Sequence, residues 1–215
     1  MQHRPKLNSK DYKIPVTAQG PFQVVRGDYI LGGTKTLALL RWLPTLQTNH
    51  VVYAGSVFGS GGLAVALAAR QLGIKATILM ARSKYTPPWI SDIEGSIQWT
   101  YPLPVAQLHT MGEDIANAVN LPLGFDHPNF RKEMVHIIRN TILRPPPEIW
   151  CSALSGTLAR AIHASFPDIP LHVVTPARMA VPIANAHMHL SPEKYHQPAR
   201  ILPPYPSCPF SDAKI

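Results

Sequence analysis

Residues 51–80 read VVYAGSVFGSGGLAVALAARQLGIKATILM. The opening apolar run, Val51-Val52-Tyr53-Ala54-Gly55, is the pattern of a strand buried on both faces. A glycine-rich turn follows, Gly59-Ser60-Gly61-Gly62, and then an alanine-rich run from Leu63 to Leu72 that Gly73 closes as a helix C-cap would. Ala76-Thr77-Ile78-Leu79-Met80 supplies a second short strand. Strand, helix, strand at this spacing is a βαβ unit, whose parallel strands and right-handed crossover imply a doubly wound α/β sheet.

The same order returns downstream. Glu148-Ile149-Trp150-Cys151 reads as a strand, Ser152 to Thr157 as a small-residue turn, Leu158 to Ser165 as a helix and Leu171-His172-Val173-Val174 as a strand. Upstream, Thr34 to Gln47 places Leu37, Leu40, Trp42 and Leu43 on one helical face, with Pro44 ending or bending it. Between the two units, residues 92–107 read as strand and loop, Met111 to Val119 as a helix, and Asn129 to Thr141 as another. The chain thus divides into an N-terminal arm (1–22), an α/β catalytic core of two βαβ units (23–175) and a proline-rich irregular segment (176–215).

Composition bounds the function classes. Hydrophobic residues make up 46% and charged residues 15% of the 215, the balance of a globular protein with a sizeable core. No apolar stretch is long enough for a membrane span. The polar start Met1-Gln2-His3-Arg4-Pro5-Lys6 lacks a secretory pattern, so a cytoplasmic location is expected. Cys151 and Cys208 form no CxxC pair and no disulfide framework. The formal charge of +8 favours anionic ligands such as phosphates, carboxylates or nucleic acid, although no basic block marks a nucleic-acid tail.

Turns between strand and helix carry chemistry because the first N–H groups of a helix lack partners and bear partial positive charge. In Ser152-Ala153-Leu154-Ser155-Gly156-Thr157 the glycine admits close approach, and Ser155 and Thr157 add hydroxyl donors for a phosphate. A helix cap with close strand packing accounts for the same residues. Gly59-Ser60-Gly61-Gly62 offers similar geometry without full GxGxxG spacing or a downstream acidic residue. Lys35 follows Gly32-Gly33-Thr34 where a helix begins. The dipole there opposes positive charge and favours the neutral amine that Schiff-base chemistry requires. An exposed turn lysine is the bland alternative. His187-Met188-His189 sets two imidazoles on one side of a strand without a third ligand, so no metal is expected. Asp126 and His127 stand before a helix, where an Asp serves as N-cap or lines a cleft.

Arg26-Gly27-Asp28, then Gly32-Gly33-Thr34-Lys35-Thr36, then residues 51–73 resemble, in order and spacing, the start of the aminocyclopropane-carboxylate deaminase and D-cysteine desulfhydrase group. These are fold-type II, tryptophan-synthase-β-like pyridoxal phosphate enzymes, and the resemblance is that of a short, divergent member, for which a phage-type origin is one expectation. The resemblance covers about two thirds of the chain. It implies pyridoxal 5′-phosphate as cofactor, Lys35 as the residue bonded to it, and Ser152, Ser155, Gly156 and Thr157 as its phosphate cradle. Gly59 and Ser60 fall at the ring, with Ser60 where the family carries asparagine. Pro209 to Lys214 resembles a late family stretch, and Ala153 and Leu154 depart from glycine positions. The chain ends at Ile215 before the segment that meets the pyridine nitrogen, so the reaction type does not transfer with the fold. A homodimer is also implied.

The resulting expectation is a reduced-size enzyme acting at the α-carbon of an amino-acid-like substrate by elimination, deamination or decarboxylation. A bolder form attaches that amino acid to a nucleotide or DNA base, as in phage base hypermodification, on the strength of the charge and the short architecture. The alternatives are a phosphoribosyl or nucleotide transferase using the Ser155 turn, and a non-catalytic binding relative.

Overall fold

The computed structural model describes residues 12–176 and 183–215. In chain order the elements are β1 (Val16–Gln19), β2 (Phe22–Val25), α1 (Thr34–Trp42), β3 (His50–Ala54), α2 (Gly61–Leu72), β4 (Lys75–Ala81), α3 (Ile90–Ile93), β5 (Ile97–Thr100), α4 (Val105–Glu113), β6 (Val119–Asn120), α5 (Pro128–Thr141), β7 (Ile149–Ser152), α6 (Thr157–Ser165), β8 (Leu171–Thr175) and β9 (Ala186–Leu190). They group into two compact units. One comprises Tyr29–Leu123 with residues 12–15, the other Val16–Asp28 with Gly124–Ile215. Among the described residues no helix is long and apolar enough to cross a membrane.

The first unit is built on a parallel sheet in the order β5-β4-β3-β6. All five residues of β3 are buried, as a parallel strand covered on both faces requires. Side chains alternate between the two coverings. Val52, Ala54 and Leu79 form a core with Leu108 of α4 on one face. Ile78 and Met80 lie under Gly62 of α2 on the other, where α1 in turn packs on α2. Leu37, Leu39, Trp42 and Leu43 bury the inner side of α1 almost completely.

Two helices differ from their sequence reading. The helix expected to reach Gln47 stops at Trp42 and continues as a 3-10 turn over Leu43–Leu46. Pro44 has no N–H for the carbonyl four residues back, so the chain tightens there, and Gln47 turns left-handed at φ 50°. The helix read at Met111 to Val119 lies earlier, over Val105–Glu113. Pro104 stands at its N-cap, Leu108 faces the core, and left-handed Asn117 separates it from β6.

The second unit carries the parallel sheet β7-β8-β9 with α5 and α6 packed together, α6 against β8. It also contains the antiparallel hairpin β1/β2, formed where the sequence suggested an irregular arm; Gly20 at φ +59° makes its turn. β9 lies in the segment expected to be irregular. Its alternation puts His187 and His189 on one face, as the His187-Met188-His189 spacing suggested, and Ala186, Met188 and Leu190 on the other, and it pairs with β8 in the register His172↔His187 and Val174↔His189.

The hairpin leads into an ion pair. Buried Arg26 donates from Nε to Asp28 Oδ1 at 2.8 Å and from Nη2 to Oδ2 at 2.7 Å, a forked, charge-assisted contact. The Arg26 hydrogen bonds hold the Asp28 carboxyl below the usual carboxylate range. Its contribution to stability is therefore full above the unfolded value, near about 3.9, and is lost as the pH falls through the lower folded value. In denaturant melts repeated down an acid series, Asp28→Asn should be less stable than wild type at neutral pH, with the gap closing in acid. A gap that stays constant would contradict the linkage.

Candidate functional site

The site residues expected from the sequence divide between the units. Lys35, Gly59 and Ser60 belong to the first, and Ser152, Ser155, Gly156 and Thr157 to the second.

In the first unit the turn before α1 is made by consecutive left-handed glycines, Gly32 (φ +79°) and Gly33 (φ +74°). The Gly33 N–H donates to the Ile30 carbonyl at 2.8 Å, and the Thr36 hydroxyl donates to the Leu31 carbonyl at 2.9 Å. A methyl group on Gly32 would strike Thr36 Oγ1 and come within 3.0 Å of Ala64 Cα, so this turn is seated directly on α2. Gly33 is the N-cap of α1, without a side-chain cap, and half-buried Lys35 stands in the helix's first turn. Ser60 occupies the N-cap of α2, again with no side-chain capping bond, and the preceding loop is closed by Gly59 N–H to the Ser56 carbonyl at 3.2 Å. The lysine turn and the serine turn thus begin two helices that pack on one another.

In the second unit β7 ends at Ser152, and Ala153 N–H still pairs with the Val174 carbonyl at 2.9 Å. The chain then turns through exposed Ser155 and left-handed Gly156 (φ 79°) into α6, with Thr157 buried in its first turn. The Ser155 and Thr157 hydroxyls are 3.3 Å apart, and Gly156 offers no side chain to cap the helix, so the first N–H groups of α6 have no partner within it. This turn is braced from behind. Arg160 Nη2 donates to the Ser155 carbonyl at 3.0 Å and pairs with Asp126 at 3.2 Å; Arg131 pairs with the same carboxylate at 2.7 Å. Two guanidiniums share one carboxylate, leaving a positive surplus, and among the described residues the buried Nε atoms of both arginines have no acceptor.

Sequence reasoning missed Arg131, Arg160 and Gly124. Gly124 is left-handed (φ +62°), and a methyl group there would collide with the Ser155 side chain. Asp126 is not an N-cap. His127 caps α5 instead, accepting at Nδ1 from Asn129 N–H at 3.2 Å, and its place immediately before Pro128 explains why. Gly124 and Arg131 lie 31 and 24 positions before Ser155 and Arg160 lies within the following helix, and only the Arg160 spacing, one turn past Gly156, could have signalled its role.

Three further features bear on reactivity. Burial pushes the Cys151 thiol up to about 12, which makes it a core residue and an inert one. Trp150, the register partner of His172, stacks on it with centroids 4.2 Å apart, and His187 stacks beyond at 4.7 Å, a ladder across three strands. The closing 3-10 turn Asp212–Lys214 packs on β7, and Lys214 Nζ donates to the Lys194 carbonyl at 2.8 Å.

No protein-family model matches the chain, and no curated protein matches it by sequence. Solved structures do. An aminocyclopropane-carboxylate (ACC) deaminase homologue superposes with a TM-score of 0.75 at 15% identity, covering 91% of this chain and 76% of that one. A fungal L-serine ammonia-lyase from Rhizomucor miehei gives 0.62 at 18% identity, with coverage of 76% and 59%. A pyridoxal 5′-phosphate-dependent aspartate racemase gives 0.57 at 16% identity, with coverage of 75% and 56%. The chain spans three quarters of the first and little more than half of the other two. At these identities the likeness is one of fold: the chain has the tryptophan-synthase-β-like α/β architecture, at reduced size.

Proposed function

We propose that this chain is a pyridoxal-phosphate-dependent enzyme that acts at the α-carbon of an amino-acid-type substrate, the amino acid being carried on a nucleotide or nucleobase. The observation that carries the reading is the α6 start. A phosphate dianion needs clustered donors and positive charge, and the Ser155–Thr157 turn provides two hydroxyls, the first N–H groups of α6, which have no partner within the helix and no side-chain cap among the described residues, and Arg160 behind it. The residues therefore fit the group's anionic tail. Ser152, at the end of β7, completes the turn.

Lys35 is the amine we assign to the cofactor's aldehyde carbon. Its backbone is fixed by the Gly32-Gly33 turn against α2, in the first turn of α1. When bound, pyridoxal phosphate supplies an electron sink for charge developing at the α-carbon. Lys35 Nζ would then be the group placed to take a proton from that carbon or return one. Ser60 and Gly59, at the start of α2, lie on the same packed pair of helices and are assigned to the ring and the substrate. The nucleotide-borne substrate is supported by the +8 charge. Elimination, deamination and decarboxylation all use this arrangement.

Two experiments follow. Purified protein mixed with pyridoxal phosphate should develop the visible absorption band of a lysine-bound cofactor, and Lys35→Ala should lose that band while melting at the wild-type temperature. A band that persists in Lys35→Ala would refute the assignment. For the anchor, Gly124→Ala sets a methyl group against Ser155 on a left-handed backbone. It should destabilise the fold by about 1–3 kcal/mol, read as a drop in melting temperature of about 2–4 °C per kcal/mol, and weaken cofactor uptake. Unchanged melting and uptake would mean that the turn is not held by this contact.

A further inference from the structure

A crevice of about 230 Å³ opens in the first unit at the C-terminal ends of β3 and β4, beside the start of α4. This is the end of an open parallel sheet where ligands bind. Its polar lining consists of donors. The Ser56 hydroxyl oxygen accepts from Phe58 N–H at 3.2 Å and the Ser83 oxygen from Tyr85 N–H at 3.2 Å. Each serine is thereby fixed, with its own hydrogen left to donate. Arg82 is exposed, and among the described residues its guanidinium makes no hydrogen bond or ion pair. Among the described residues no carboxylate lines the crevice; the remaining walls are apolar, with Val57, Leu103 and Val105 prominent.

The crevice lies on the α4 face of the sheet, sharing Ala81, Leu103, Val105 and Leu108 with the core on that side. Lys35 starts α1, which packs on α2 over the opposite face. A substrate α-carboxylate is one bond, about 1.5 Å, from the carbon that Lys35 serves, so it stays with Lys35. Whatever fills the crevice is a more distant part of the ligand. It must offer several acceptor oxygens to a guanidinium fork and two hydroxyls, and a small apolar or planar body to the walls. The volume falls below that of drug-sized sites and suits a single ring.

We propose that this crevice binds the phosphate ester and adjoining ring of the nucleotide that carries the substrate's amino-acid group. The inference rests on the nucleotide-borne reading of the substrate given above, and it makes Arg82 a specificity determinant of that same site. A phosphate monoester of a free nucleotide and a phosphodiester of single-stranded DNA present the same chemistry, and the test separates them.

Calorimetric titrations of the full chain would compare deoxynucleoside 5′-monophosphates, the matching nucleosides, a short single-stranded oligodeoxynucleotide and free serine. The monophosphates, the oligonucleotide or both should bind, and nucleosides without phosphate should bind at least about tenfold more weakly. Binding by the oligonucleotide alone assigns the crevice to a nucleic-acid strand, and tighter monophosphate binding assigns it to free nucleotide; either supports the inference. Arg82→Gln, and independently Leu103→Glu, which sets a carboxylate in the wall, should each weaken phosphate-dependent binding about tenfold or more. Cofactor uptake should be unchanged in both. Equal affinity for nucleoside and nucleotide, unchanged nucleotide binding in Arg82→Gln, or an Arg82→Gln effect on serine alone would overturn the inference. Loss of the visible band with Arg82-dependent nucleotide binding intact counts against the cofactor reading alone. An intact band without phosphate-dependent binding counts against the crevice alone.

Discussion

The first turn of a helix carries N–H groups that no residue of that helix can satisfy, and this chain leaves the start of α6 open. Gly156 caps α6 with a left-handed backbone and no side chain, and the neighbouring Ser155 and Thr157 hydroxyls lie beside each other rather than over the helix end. α5, by contrast, is closed by His127. An open start costs stability unless something anionic fills it. The surrounding residues hold it in shape: Gly124 abuts Ser155, and Arg160 ties down the Ser155 carbonyl while sharing Asp126 with Arg131. A carboxylate in the cluster does not cancel two guanidiniums, so the turn stays attractive to a phosphate.

The first unit applies a related device to a different end. Two successive left-handed glycines seat the start of α1 on α2, and this places a lysine in a helix's first turn, where the dipole opposes its charge. A surface lysine gains nothing from such a position. A nucleophilic amine does, because its neutral form is the reactive one. The Ser152–Thr157 turn belongs to a βαβ element of the second unit, whereas the Lys35 turn precedes the βαβ element of the first and is seated on its helix α2. The crevice beside Arg82 adds a third electrostatic feature, a guanidinium without a partner among the described residues at the C-terminal end of a parallel sheet.

Much of the fold was legible because hydrophobic period and glycine punctuation agree. β3, α2, β4, β7, α6 and β8 all lie within a residue or two of where Val51 to Met80 and Glu148 to Val174 suggested. The exceptions have local causes. Pro44 converts the end of a helix to a 3-10 turn, Pro104 starts α4 earlier than its apolar pattern suggested, and β9 runs through a proline-rich segment read as irregular apart from its His187-Met188-His189 stretch. The candidate site was legible only where motif and turn coincide, at Lys35, Ser60 and the Ser152–Thr157 turn. Of Gly124, Arg131 and Arg160, only Arg160, one turn past Gly156, could have been signalled by spacing; Gly124 and Arg131 act through spatial contact between residues far apart in the chain, of which pairwise spacing carries no trace. The Trp150–His172–His187 ladder was hidden for the same reason, since each ring comes from a different strand.

The central claim is that one particular amine receives the cofactor. Incubating the protein with pyridoxal phosphate, reducing it with borohydride and mapping the modified peptide by mass spectrometry tests this directly. The account requires the added mass on Lys35, in near-stoichiometric yield. Modification scattered over surface lysines, or concentrated on another such as Lys214, would contradict it.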